Sequence, residues 1–181
     1  MTRAMVALGL LLGVCATANA QEAGQVGITM GYPASIGVMW HVSDSVAVRP
    51  EIAFSTSSSS NDFGADTTTV SGGASGLFYV AKWDHVRAYV SPRFSYGRST
   101  SDSTGTIGIA SKNSTYNVVG SFGAQYTPHK RFAVFGETGL GYSRSKASTT
   151  TVVVPVVLPP TTSTLTAFGT RSGVGVIFYF K

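Results

Sequence analysis

The chain has 181 residues and a formal net charge of +5, and only 12% of it is Asp, Glu, Lys or Arg, about half the ~25% of an ordinary soluble domain. Its one cysteine is Cys15, which leaves no material for a disulfide framework or a thiolate metal site. Gly, Ser and Thr are abundant, and after the first twenty residues there is neither an amphipathic helical period nor an apolar run long enough for a membrane helix, so the composition is that of an all-β protein.

Residues 1–20 have the layout of a cleaved signal peptide. Arg3 supplies the positive start, Ala4–Val14 an apolar stretch too short to span a bilayer, and Ala18-Asn19-Ala20 a small-residue cleavage site. A lipoprotein reading of the segment around Cys15 is disfavoured by the bulk of Val14. Residues 21–181 then form one domain.

Period-two alternation recurs through that domain. Val26, Ile28, Met30 and Tyr32 mark a first strand, and Ile36, Val38, Trp40 and Val42 a second. A third carries Val46, Val48, Pro50, Ile52 and Phe54. A vaguer fourth runs from Val70 to Val80. The fifth sets Val86, Ala88, Val90, Pro92, Phe94 and Tyr96 against Arg87, Tyr89, Ser91 and Arg93. The sixth spans Tyr116 to Tyr126 and the seventh Phe132 to Tyr142. The eighth starts near Ala167 and ends in GVGVIFYFK. Each is near the ~9–11 residues that a tilted strand needs to cross a bilayer. Connections at one end are short (SDS, AKWDH, TPHKR). At the other, Thr56–Thr69, Ser99–Ser114 and Lys146–Thr166 read as long loops, and only YPAS is brief. Short periplasmic turns and long outer loops are the asymmetry of an up-and-down outer-membrane barrel. The expected fold is therefore an all-β, eight-stranded antiparallel up-and-down transmembrane β-barrel.

Charge parity separates lipid from water. Arg49, Glu51, Arg87, Arg93, Glu137 and Arg171 all fall on the side opposite the Val/Ile/Phe face. The rest of that side is Gly, Ser and Ala, which suits a narrow lumen with an ion-pair network better than a solvated surface. On the lipid face a midplane Arg or Lys costs ~2–4 kcal/mol, and the pattern places none there. Tyr32, Tyr96, Tyr116 and Tyr142 are expected to form an upper aromatic girdle, and Trp40, Phe132, Phe178 and Phe180 a lower one, with Trp83 in the adjoining turn. Arg98, Arg144 and Lys146, with Lys112, are placed at the outer rim, where they would meet lipopolysaccharide phosphates.

The strand–turn–strand unit IGVMWHVSDSVAVRPEIAFS and the terminal SGVGVIFYF resemble the eight-stranded outer-membrane β-barrel superfamily that includes the OmpA transmembrane domain, OmpX and the opacity proteins. The resemblance covers essentially all of residues 21–181. It implies that Val174, Val176, Phe178 and Phe180 act as the signal read by the barrel-assembly machinery, with periplasmic chaperones as partners during biogenesis.

Enzymes exist on this fold, and a catalytic His would sit near the outer leaflet. His41, His85 and His129 are instead placed toward the periplasmic turns, so no enzymatic activity, metal or cofactor is expected, nor any nucleic-acid partner. The Val/Pro/Thr-rich stretch 147–166 is a candidate contact surface for a host or neighbouring cell. The expectation is a monomeric, non-enzymatic protein of the bacterial outer membrane, with a structural role and loops available for adhesion or lipopolysaccharide contact. The alternatives are a small pore gated by the luminal Arg/Glu network and a soluble, periplasmic lipocalin-like binder.

Overall fold

The computed structural model describes residues 23–33, 35–59, 65–103, 107–153, 156–157 and 159–180. The expected signal peptide and Lys181 lie outside the described residues. Eight long strands follow one another: β1 (Val26–Tyr32), β2 (Ser35–Ser43), β3 (Val46–Ser58), β4 (Ala65–Lys82), β5 (Val86–Ser103), β6 (Ile107–His129), β7 (Phe132–Val153) and β9 (Thr161–Tyr179). Between the last two, β8 (Val156–Val157) is a two-residue strand that folds back on the end of β7. The described residues contain no helix.

Every long strand pairs antiparallel with its neighbours in sequence, and β1 pairs with β9, so the sheet closes on itself. The closing ladder runs from Gly27 opposite Tyr179 to Tyr32 opposite Val174. Phe180, just past β9, adds a backbone bond of 2.8 Å to the Val26 carbonyl. The apolar end of β9, Val174–Tyr179, thus has a partner at both of its edges and offers no free edge as a template for aggregation. Followed once round the ring, the register climbs about ten residues, which ties an eight-stranded barrel to a strand tilt of ~35–45°.

Side chains alternate as the parity requires. Ile52, Phe94, Val118, Phe122 and Leu140 face outward and are exposed. Arg49, Glu51, Ser75, Ser91 and Gln125 face inward and are buried. A lipocalin has the reverse arrangement, with its apolar parity inside, so the soluble-binder alternative is lost. Outward aromatics form two belts. Tyr116 and Tyr126, Phe132 and Tyr142, and Phe168 and Phe178 are each ten residues apart on one strand. At ~3.3 Å per residue and the tilt above, the belts are about 24 Å apart, close to the ~25 Å apolar band of outer-membrane barrels. Within them Tyr96 packs on Tyr116 with ring centroids 5.1 Å apart, and Phe132 on Phe178 at 5.4 Å.

The expected loops need correction. Residues 56–58 and 65–69, 99–103 and 107–114, and 146–153 and 161–166 are strand, not loop. The hairpins continue upward as ribbons, and β6 reaches 23 residues, about twice the span expected from the sequence. Hydroxyls zip these ribbons across their inner faces: Thr67 to Ser101 and Thr69 to Ser99 at 3.0 Å, and Thr115 with Ser145 at 2.7 Å. The β1–β2 hairpin alone stays short, so Tyr32 stands below the belt of Tyr96, Tyr116 and Tyr142 rather than in it.

Two glycines test the packing of the ring. A Cβ on Gly139 would run into the backbone of Gly120 and Ser121, whereas one on Gly120 would meet nothing within 4 Å. Gly139→Val should lower the urea midpoint of refolded protein by the equivalent of about 1–3 kcal/mol or prevent folding. Gly120→Ala should leave both the midpoint and the heat-modifiable gel mobility unchanged.

Candidate functional site

The barrel interior is built in three levels. At the lower end, near the β2–β3, β4–β5 and β6–β7 turns, Met39, Leu77, Tyr89, Phe135, Ile177 and Tyr179 fill the lumen with apolar and aromatic matter. An eight-stranded ring is just wide enough for side chains to fill in this way. A polar cluster is set within it. The Tyr79 hydroxyl donates to Gln125 Oε1 at 2.9 Å, Gln125 Nε2 donates to the Tyr179 hydroxyl at 3.0 Å, and that hydroxyl lies 3.1 Å from His41 Nε2. His41 stacks on the Tyr79 ring at 5.7 Å. Parity alone put His41 on the inner side of its strand, but sequence reasoning placed it at a turn and so missed this cluster. The signal available was the inward alternation Gly37, Met39, His41.

Above the plug lies an ionic layer. Arg49, on β3, reaches across the lumen to Glu137, on the opposite wall in β7, with Nη2 donating to Oε1 at 2.9 Å and to Oε2 at 3.1 Å. Arg49 Nε is 3.9 Å from Glu51 Oε2. Arg93 of β5 pairs with Glu51 and stands 3.9 Å from Glu137. Tyr89 donates to Glu137 Oε2 at 3.3 Å, and the Arg49 guanidinium lies 4.8 Å over the Phe135 ring. Arg49, Glu51 and Glu137 side chains are 2%, 6% and 8% exposed, and Arg93 is 27% exposed.

Of the six inward charges expected to form one network, four therefore meet. Arg87 belongs to the lower plug, 5.6 Å over the Tyr79 ring. Arg171 lies higher, exposed, and makes no ion pair among the described residues; its stem crosses the space that Gly141 leaves open, toward Val119. Parity fixed the direction of both side chains, and register fixed their height. The third level, above Arg93, is a cup lined by Ser95, Asn117, Thr115 and Ser145, with Asn117 donating to Ser95 at 3.3 Å.

On the outer surface Arg98, Lys112, Arg144 and Lys146 are exposed on the adjacent strands β5, β6 and β7. Ser114 stands between Arg98 and Lys146 in register, and Arg144 stands opposite Tyr116. All four lie above the tyrosine belt. Val174, Val176 and Phe178 lie in β9 on the outward side, followed by Phe180. Trp40, in β2, is exposed at the level of the lower belt.

No family model matches the chain, and no curated protein matches its sequence. Among solved structures, the crystal structure of CarO from Acinetobacter baumannii matches at a TM-score of 0.42 and 14% identity, covering 90% of this chain and 100% of that one. Acinetobacter baumannii CarO2 matches at 0.42 and 11%, over 86% of this chain and 97% of that one. Ail, the attachment invasion locus protein of Yersinia pestis, matches at 0.43 and 13%, over 86% and 95%.

The ionic layer makes a sharp stability prediction. Removing one partner of a buried pair leaves an uncompensated charge, so Glu137→Gln should cost about 3–5 kcal/mol. The double variant Arg49→Met with Glu137→Met should recover most of that loss, as read from urea unfolding in detergent micelles.

Proposed function

We propose that the chain is a non-enzymatic barrel protein of a bacterial outer membrane. Its ring serves as anchor and its tall β-ribbons serve as a surface for contact outside the cell. The observation that carries this reading is the outward apolar band, bounded by two aromatic belts and enclosing an ionic, side-chain-filled lumen. No soluble fold benefits from that distribution, because water would meet the apolar face while charges sat in the dry interior. In the same reading residues 1–20 are removed on export, and the alternating end of β9 with Phe180 is the feature recognised during assembly.

Arg98, Lys112, Arg144 and Lys146 support lipopolysaccharide as a neighbour. They stand just above the belt, at the depth of lipid phosphates, where guanidinium groups make paired charge-assisted hydrogen bonds. The ribbons built from β6, β7 and β9 are the natural place for a host or neighbour-cell ligand, since they rise well beyond the apolar band. The pore alternative finds less support. Beneath the ionic layer the lumen is occupied by Met39, Leu77, Tyr89 and Phe135, so a rearranged Arg/Glu layer alone would open no path.

Amine labelling of intact cells tests the orientation. A membrane-impermeant amine reagent should modify Lys112 and Lys146, both exposed above the belt, and spare Lys82, and labelling of Lys82 with Lys146 untouched would invert the topology. A second measurement tests the lipid face. Leu140→Arg, at an exposed outward position, should cost about 2–4 kcal/mol in bilayers and much less in urea-refolded micelles of short-chain detergent. A cost below ~0.5 kcal/mol in bilayers would mean that this face meets water.

A further inference from the structure

The barrel wall is not of uniform height. β1 stops at Tyr32 and β2 starts at Ser35, while β3 continues to Ser58 on one side and β9 begins at Thr161 on the other. The ladder between β1 and β9 ends at Tyr32 opposite Val174. Phe168, earlier in β9, pairs with Tyr142 in the upper aromatic belt. At the rise and tilt given above, the top of β1 lies roughly 10 Å below that belt, close to half of the apolar band.

The backbone over this gap is bare on one side. Phe180 donates to the Val26 carbonyl of β1, and Tyr179 to the Arg131 carbonyl just ahead of β7. By the alternation of an antiparallel ladder, even-numbered residues of β9 therefore present their N–H and C=O groups toward β1. For Phe168, Thr170 and Ser172 no strand stands on that side among the described residues. An open edge of this kind is not tolerated in hydrocarbon and calls for water. The outward side chains agree. Below Phe168 the outward parity of β9 carries Thr170 and Ser172, both exposed, and Thr138 of β7 stands opposite Ser172. At the matching depths below Tyr116 on the far wall stand Val118 and Gly120, paired with Phe94 and Pro92. Among the described residues, the outward hydroxyls of the band thus gather beside the short hairpin.

Water reaches these groups where the outer boundary of the bilayer dips. A wall too short for the hydrocarbon thins the bilayer around it at a small cost per ångström. Tyr32, outward at the top of β1 and 75% exposed, supplies the amphipathic ring that suits such a boundary. Tyr32, Thr138, Thr170 and Ser172 carry no formal charge at neutral pH, so the dip needs no particular headgroup.

We infer that the β1–β2 side of the barrel is a bilayer-thinning face. It draws the outer-leaflet headgroups and their water down to the level of Tyr32, while the wall of β5–β7 holds them at the tyrosine belt. The inference rests on the membrane reading above and adds to it a partner surface, a locally dented leaflet on one side of the ring.

Spin labels on single introduced cysteines test it, in liposomes of dioleoylphosphatidylcholine and a Cys15→Ser background. Thr170→Cys and Ser172→Cys report the short side. Val118→Cys and Gly120→Cys report the far wall at matching depths, and a Cβ on Gly120 meets nothing within 4 Å. Collisions with dissolved oxygen and with a water-soluble nickel complex give the depth of each label. The Ser172→Cys label should read roughly 10 Å shallower than the Gly120→Cys label, the height of the missing wall. Nickel carried on chelating lipid headgroups should relax the two labels on β9 and leave the two on β6 unaffected. Equal depths on the two walls would overturn the inference. So would access of dissolved nickel to Ser172→Cys without relaxation by headgroup nickel, since the leaflet would then lie flat around a crevice of water. Free nickel access at all four positions would instead sink the membrane reading. Heat-modifiable mobility reports whether each variant folds, and the Thr170→Cys and Val118→Cys pair carries the comparison by itself if the deeper pair does not.

Discussion

The ladder between β1 and β9 is the constraint on which the rest depends. An alternating sheet whose outer face is apolar has no safe way to end, because each free edge presents unpaired backbone beside a greasy surface. Pairing Gly27–Tyr32 with Tyr179–Val174 removes both edges at once over the height of β1. Closure with eight strands and this register also fixes the bore. A ring of that width holds side chains and no wide aqueous channel. The inward parity is therefore committed to filling space, and its content has to satisfy itself.

It does so by separating two kinds of packing. The lower lumen uses large rings and Met39, Leu77 and Ile177, whose burial excludes water from below. Such a floor lowers the local dielectric beneath Arg49 and Glu137, which strengthens their attraction and raises the cost of leaving either alone. Small residues make the arrangement possible. Gly123 leaves room for the Tyr89 ring, and that ring in turn brings its hydroxyl to Glu137. The Gly-rich inner face noticed in the sequence is thus the complement of a few bulky side chains that reach across the bore.

Strand identity and facing were legible in the sequence because apolar and small residues alternate sharply between Val26 and Tyr142. The period-two signal depends on contrast between faces, and it vanishes where both faces are Ser and Thr. That is why residues 56–69, 99–114 and 146–166 read as loops although the described parts of them are mostly paired strand. Thr favours extended backbone, but its polarity hid the pairing. The ionic layer was legible as a set of inward charges and illegible as a geometry. Parity gives the wall a side chain faces, whereas height within the bore depends on tilt and shear. Arg49, Glu51, Arg93 and Glu137 come from β3, β5 and β7 to one level, and the climbing register leaves Arg87 below it and Arg171 above. Tyr32 shows the same limit. Its outward side was correct, but its place in the belt assumed a wall of even height.

Uneven height also explains why the ribbons differ from the ring in composition. Among the described residues the sheet is no longer closed above the β1–β2 turn, and β3 and β9 become edges there. Here the chain changes strategy from closure to polarity. Ser55–Ser58 on one edge and Thr161–Thr164 on the other expose hydroxyls on both faces, and the inner faces of the hairpins between them are tied by hydroxyl pairs such as Thr69 with Ser99. An edge of this kind has little hydrophobic surface to drive strand stacking with another copy. The same residues would be ruinous between the aromatic belts, where hydroxyls find no water. The composition along β9 therefore marks depth: Thr and Ser where water bathes both faces, and strict apolar alternation from Val174 to Phe178, where one face meets acyl chains.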